Sequence, residues 1–239
     1  PRTDTLHALA FELWHKTHDE APVLLSEEAA RRVFAEANAD EPARLKEAWE
    51  KIALAREKRE TLPEDLAPFL ARYFQQKAAW NLADYTDLLE FWLEQIDTSL
   101  YTAPWTHILV DEIQDLSPLQ LHLLKSLLPK DGSGFFGIGD PDQSIYGFRG
   151  AASGVREHLA EAWADLEVIA LKDNYRSPRL VLEAASSLLG EASSCVHVSA
   201  TTQDTGQKLP LHHPSPGVRT ARCVDRSPCL HRQRGSLAH

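Results

Sequence analysis

Asp111, Glu112, Asp115, Asp140, Asp142, Gln143 and Arg149 fall within forty residues of one another and could do chemistry together. Carboxylates at this density can hold a hard divalent cation or activate a water, and an amide and a guanidinium among them suit phosphate oxygens. An Asp-Glu pair after one apolar run is an ordinary strand end meeting solvent. What points to a nucleotide or metal site is that acid recurs after a second such run.

Both sets of acids follow short apolar stretches. His107, Ile108, Leu109 and Val110 lead into Asp111, and Phe135, Phe136, Gly137 and Ile138 lead through Gly139 into Asp140. Runs of this length bounded by turn signals read as strands of a parallel sheet buried on both faces. Open α/β sheets place their ligands at the carboxyl ends of such strands. Between the two runs, Ser117-Pro118 is a cap followed by a first-turn proline, and Leu119, Leu123, Leu124, Leu127 and Leu128 make the next helix a sheet-covering one. The turn at 130–134 returns the chain to the second strand, completing a β-α-β unit. A helical stretch with Val155, Leu159 and Trp163 precedes a further strand at 166–171. Asn174, Tyr175 and Arg176 follow in a loop, and Ser177-Pro178 opens a helix that Gly190 should end.

Upstream the text is helical. Residues 5–18 carry Leu6, Leu9, Ala10, Leu13 and Trp14 on one face, with Thr5 and His7 at the start, where a capping threonine and a surface histidine are the plain reading. Ser26 caps a second helix, and a third follows Asp40 with a supporting Glu47–Lys51 pair. The charge run at 50–60 reads as a solvated face. After Leu62-Pro63 and Ala67-Pro68, a short helix covers 69–77, so residues 20–78 read as an all-helical insertion. The next helix presents Leu88, Leu89, Trp92, Leu93 and Ile96, and packs most simply on the strand it precedes.

Composition sets the limits. A chain of 239 residues with 43% apolar and 25% charged side chains holds one large domain or two small ones. Its longest apolar stretches fall short of the roughly 18 residues of a spanning helix, and its start does not read as a signal peptide, so the expectation is a cytoplasmic chain with no membrane partner. Residues 1–190 carry 32 acidic and 19 basic side chains, which argues against coating DNA by bulk charge; residues 191–239 carry 3 and 6. That last segment has no Phe, Trp, Tyr or Ile, and holds all three cysteines. It reads as disordered coil. Cys223, Cys229 and His231 match no tetrahedral zinc spacing.

From residue 3 to about residue 190 the chain resembles the UvrD/Rep-type superfamily 1 helicases, ATP-driven motors that translocate on single-stranded DNA. Asp111-Glu112-Ile113-Gln114-Asp115 is similar to the family's Walker B signature, with Ile113 where an aromatic is usual. Residues 139–151, GDPDQSIYGFRGA, resemble the next motif, with Phe148 where Trp is usual, and Asn174-Tyr175-Arg176-Ser177 the one after it. Thr5-Leu6-His7 looks like an early DNA-contacting motif, and residues 84–89, DYTDLL, like the segment before Walker B.

The resemblance implies a partial RecA-like P-loop NTPase motor domain of α/β class, a parallel sheet with flanking helices. Residues 1–19 and 79–172 would form part of the first motor domain, 20–78 the helical insertion, 173–190 the start of the second motor domain, and 191–239 a disordered tail foreign to the family, as a frameshift or truncation in the source gene would produce. It implies ATP and Mg2+ as cofactors, single-stranded and duplex DNA as partners, 3′ to 5′ movement and a setting such as DNA repair. Asp111 would hold magnesium, Glu112 would orient the attacking water, and Gln143 would sense the γ-phosphate. Tyr175 would stack on adenine, and Arg176 would act as an arginine finger in cis. Thr5, His7, Tyr146, Phe148 and Arg149 would face DNA, where an aromatic stack on a base is worth roughly 1–3 kcal/mol.

One part of the family pattern is missing. A phosphate-binding loop needs glycines ahead of the Walker B strand, and the first glycine of this chain is Gly132. The chain reads as the middle of a helicase, inactive alone, with apolar surface on Val110, Phe136 and Leu124 left partly uncovered. The alternatives are a degenerate module that binds DNA or a partner without catalysis, and a magnesium-dependent nuclease using Asp111, Glu112 and Asp140.

Overall fold

The computed structural model describes residues 2–144, 154–171, 173–177, 181, 185, 199–200 and 222–225. The chain divides into two compact units. The first comprises residues 1–104, 116–127 and 146–152; the second takes 105–115, 128–145 and 153–239.

The first unit is built from helices whose starts are set by local capping. α1 (Leu6–Thr17) begins where the Thr5 hydroxyl accepts the Ala8 N–H at 3.1 Å. α2 (Glu27–Ala37) begins at Ser26, with Glu27 and Glu28 at the positive end of its dipole. α3 (Leu45–Lys58) follows a short turn, and its Glu47–Lys51 pair closes at 2.6 Å. α4 (Ala67–Ala79) carries a proline in its first turn. α5 (Tyr85–Asp97) and α6 (Pro118–Ser126) each open with a capping box, at Asp84/Asp87 and Ser117/Gln120. Phe34, Ile52, Phe69 and Tyr73 fill the core between α2, α3 and α4. Buried Asn38 ties two of these helices by donating to the carbonyls of Phe34 at 2.9 Å and Phe69 at 3.2 Å.

Two expectations change here. Residues 20–78 are not all helical: β1 (Val23–Leu24) pairs in parallel with β2 (Leu82–Ala83), because the N–H of Val23 and of Leu25 reach the carbonyls of Asn81 and Ala83. Within its unit, α5 finds its apolar partners in α1 and α6, and α6 also packs on α3. The charge run at 50–60 is not all solvated, since the Arg56 side chain is only 10% exposed and is ion-paired inside the unit.

The second unit holds a parallel sheet in the order β3-β4-β8-β5, formed by β3 (Ile108–Val110), β4 (Phe135–Gly139), β5 (Glu167–Ala170) and β8 (Arg222–Asp225). β6 (Asp173–Asn174) and β7 (Ser199–Ala200) make a separate parallel pair. α7 (Val155–Ala162) precedes β5, with Leu159 fully buried. Trp163 packs on Phe135 at 4.9 Å and lies against Gly132, whose φ of +71° and lack of a side chain admit the ring. Two short stretches of 191–239, residues 199–200 and 222–225, are strands. Backbone pairing asks only for N–H and C=O groups, so β8 can fill the slot between β4 and β5 without an apolar run to announce it.

The expectation of uncovered apolar surface holds in part. Val110 and Phe136 are half-buried, whereas Leu124 is buried; the most exposed apolar side chain of β3 is Leu109, 73% accessible. The helix expected after Ser177-Pro178 lies outside the described residues.

Candidate functional site

The register of β3 on β4 pairs Val110 with Gly137 and brings both strand ends to one end of the sheet. Asp111 directly follows β3, and Asp140 directly follows β4. Each strand then runs into one turn of 3-10 helix, Ile113–Asp115 and Pro141–Gln143. Between strand and turn, Glu112 adopts a left-handed backbone with φ of +50°. That conformation is uncommon for a residue with a side chain. It is held by its own N–H donating to Asp111 Oδ1 at 3.1 Å and by its carbonyl accepting the Asp115 N–H at 3.0 Å.

Gln114, which sequence reasoning quoted only as a motif letter, joins the two strand ends. Its Nε2 donates to Glu112 Oε2 at 2.8 Å, and its Oε1 accepts the Asp140 N–H at 3.0 Å. Gln114 and Asp140 are 6% and 1% exposed, so the bond between them lies away from water, whereas Glu112 at the other end of the amide is exposed. The Asp140 carboxylate is in turn committed locally: Oδ1 accepts the Asp142 N–H at 3.0 Å, and Oδ2 accepts Gln143 Nε2. The signal that could have found Gln114 is that it is the uncharged polar residue of an otherwise acidic turn.

Glycines make the approach possible. A Cβ at Gly139 would stand 2.5 Å from Gln114 Oε1 and 2.6 Å from the Ile113 side chain, and one at Gly137 would meet Phe135 and Ile113. Ile113 thus lies over β4 as a buried apolar side chain, 5% exposed. Burial, reinforced by the Glu112 charge, raises the Asp115 carboxyl above its ordinary range, and its buried Oδ1 has no partner among the described residues.

The other candidates are placed as follows. Asn174 Oδ1 accepts the N–H groups of Arg176 and Ser177, both at 2.9 Å, which turns the chain after β6 and leaves Tyr175 and Arg176 exposed. Among the described residues, the hydrogen-bond chain from Glu112 to Gln143 does not extend to Arg176. Tyr146, Phe148 and Arg149 lie outside the described residues. In the first unit, the Thr5 hydroxyl is committed to its cap. His7 sits edge-on to Tyr85 at 5.3 Å, and burial holds its imidazole below the ordinary value against the opposing pull of Glu57.

The helix that Tyr85 opens is anchored by a buried charge cluster that the sequence did not disclose. Lys77 Nζ meets Asp84 at 2.8 Å and Asp87 at 2.5 Å, and Arg56 meets Asp84, Asp87 and Glu90 at 3.0, 2.8 and 2.6 Å. Tyr73 adds its hydroxyl to Asp84 at 2.9 Å. Burial alone would raise the Asp84 carboxyl, but Arg56 and Lys77 overcome it and hold the group well below the usual carboxylate range. Asp87 goes the other way, raised by burial and by Asp84 beside it.

Two chemical possibilities can be judged on this geometry. A nuclease would need Asp140 on a metal, yet that carboxylate is 1% exposed and already accepts two donors. Among the described residues no group of three His, Cys, Asp or Glu side chains could hold a metal ion. Magnesium fits differently, because it keeps most of its waters and takes one or two carboxylates together with phosphate oxygens. The exposed Asp111 carboxylate at the end of β3 supplies a ligand of that kind.

Known proteins match much of this chain. The UvrD/REP helicase N-terminal domain matches residues 3–161. The ATP-dependent DNA helicase Srs2 of Schizosaccharomyces pombe is 40% identical over 122 residues, covering 50% of this chain and 14% of the relative. DNA helicase II of Escherichia coli is 37% identical over 114 residues, covering 46% and 16%. The ATP-dependent DNA helicase UvrD1 of Mycobacterium tuberculosis is 32% identical over 141 residues, covering 53% and 18%. The match therefore spans less than a fifth of each of these relatives. Among the described residues no helix is long and apolar enough to cross a membrane. With most of its length inside the matched region and its acid-tipped strands inside it too, the chain belongs to the UvrD/REP helicase N-terminal domain family.

Proposed function

We propose that this chain is part of an ATP-dependent DNA helicase, a RecA-like motor segment that contributes the water-activating and magnesium-binding half of an ATP site. The observation that carries the reading is the pair of parallel strand ends in register. One bears Asp111 and Glu112, the other a Gln143 side chain anchored on buried Asp140. Magnesium, when bound, would screen phosphate charge and make the γ-phosphoryl group more electrophilic. Asp111 holds that ion through its exposed carboxylate, and Glu112 orients the attacking water and accepts its proton. Gln143 hydrogen-bonds the γ-phosphate, Tyr175 stacks on adenine, and Arg176 neutralises charge that builds up in the transition state. The residues read as facing DNA are Thr5, His7, Tyr146, Phe148 and Arg149. The division into partial motor, insertion, second-motor start and tail, and 3′ to 5′ polarity, belong to the same proposal.

These residues do not include a glycine-rich phosphate cradle, so the 239-residue chain is expected to bind MgATP weakly and hydrolyse it negligibly, even with single-stranded DNA present. Amide resonances of Asp111, Glu112 and Gln143 should move together on adding millimolar MgATP, and should stay still in Asp111→Asn. No movement at any concentration would sink the nucleotide reading and leave the non-enzymatic binding module. Clear turnover that Glu112→Gln abolishes would overturn the claim of inactivity alone.

A further inference from the structure

We infer that Gln114 is a positioning residue that couples Glu112 to the end of β4, so that the proposed water-activating carboxylate and the proposed γ-phosphate contact Gln143 are held as one unit. Three independent features converge on it. The side chain is buried and uses both ends of its amide at ordinary hydrogen-bond lengths, one on a side chain of its own turn and one on the backbone of the neighbouring strand. Glycine at 139 leaves the space that the amide oxygen occupies, which a Cβ would enter at 2.5 Å. The Gln114 carbonyl also accepts the Ser144 hydroxyl at 3.4 Å, a second link to the segment just past Gln143.

The consequence is a continuous chain: Glu112 carboxylate, Gln114 amide, Asp140 backbone, Asp140 carboxylate, Gln143 amide. An amide is suited to the middle position because it both donates and accepts, whereas a carboxylate there would repel Glu112 and an apolar side chain would leave the buried Asp140 N–H unpaired. Movement at Gln143 is therefore felt at Glu112 through the buried Asp140–Gln114 bond and the part-buried bonds on either side of it. The chemical meaning of this coupling rests on the ATP reading above; the coupling itself does not.

The test uses the labelled 239-residue chain without nucleotide. Relaxation of the Glu112 side-chain methylenes reports its order, solvent exchange of the Asp140 N–H reports the bond across the strands, and the Gln143 side-chain amide reports the far end. In Gln114→Met, Glu112 should lose order, Asp140 exchange should rise about tenfold, the scale of one lost hydrogen bond, and the Gln143 amide resonances should shift. Gln114→Glu separates positioning from mere structure. It keeps an oxygen for the Asp140 N–H, so Asp140 protection should stay near wild type while Glu112 still loses order. A Glu112 side chain equally mobile in all three proteins, or Gln143 resonances unmoved in Gln114→Met, would overturn the coupling. If these results hold but MgATP moves none of the site resonances, the ATP reading fails and the coupling stands.

Discussion

Glu112 concentrates the cost of this site in one residue. A left-handed backbone at a residue with a Cβ costs roughly 1–2 kcal/mol, and the turn around it supplies the two backbone hydrogen bonds and the Gln114 amide that offset it. Gly139 is the counterpart across the sheet, because its missing side chain is what lets Gln114 and Ile113 close over β4. Gly139→Ala should therefore cost about 1–3 kcal/mol by overpacking and expose the Asp140 N–H to exchange. Urea unfolding followed on β3 and β4 resonances measures both, and an alanine variant as stable as wild type with Asp140 still protected would show that the strand ends need no such close approach. The acids at the strand ends were legible in the sequence, since each follows its own apolar run. The roles of Gln114 and Gly139 were not, because they depend on which residue of one strand lies beside which residue of the other.

Elements divide in the same way. Thr5, Ser26 and Ser117 could be read as caps because a cap is satisfied within three residues of itself. β1 and β2 could not, since two-residue strands have no periodicity and their pairing spans the whole of residues 25–81. Nor could the charge cluster, because Arg56 and Lys77 look like any solvated lysine or arginine until α3, α4 and the start of α5 come together. Lys77 has a 4% exposed side chain between two carboxylates, so Lys77→Met leaves buried negative charge with Arg56 as its remaining buried cation beside the Tyr73 hydroxyl, and should cost about 3–5 kcal/mol at pH 7. The pH dependence carries a sign. Asp84 is held below its ordinary value, so the stability from its pairing is present above about pH 4 and is lost as pH falls through its folded value. Raised Asp87 already takes up its proton above the ordinary range. The gap between wild type and Lys77→Met should thus narrow as pH falls through the carboxylate range, read from urea midpoints on α4 and α5 resonances. A gap constant from pH 7 to pH 3 would mean that Lys77 contributes by packing its methylene stem and not by charge.

At the scale of the whole molecule, the core between α2, α3 and α4 closes within residues 25–82, whereas the sheet of the second unit depends on a strand from the far end of the chain. β8 lies between β4 and β5 and pairs with both, from Phe136 beside Arg222 to Gly139 beside Asp225 on one side and from Glu167 to Ala170 on the other. Without it, among the described residues, β4 keeps only β3 as a partner and β5 keeps none, and a two-stranded pair is marginal in water. The composition of residues 191–239 would make their removal harmless if that segment were inert. The sheet order argues otherwise, and a chain ending at residue 190 decides it. In that shortened protein the α2, α3 and α4 resonances should match wild type, since none of their core lies beyond Leu82. The β4 and β5 amides should lose at least about tenfold of their exchange protection as the pairing groups meet water. The bond from Asp140 to Gln114 should weaken with them, because the end of β4 would then be fixed on one side only. Equal protection of β4 in the full and shortened chains would show that β8 adds nothing to the sheet and that the acid-tipped strands stand on β3 and β4 alone.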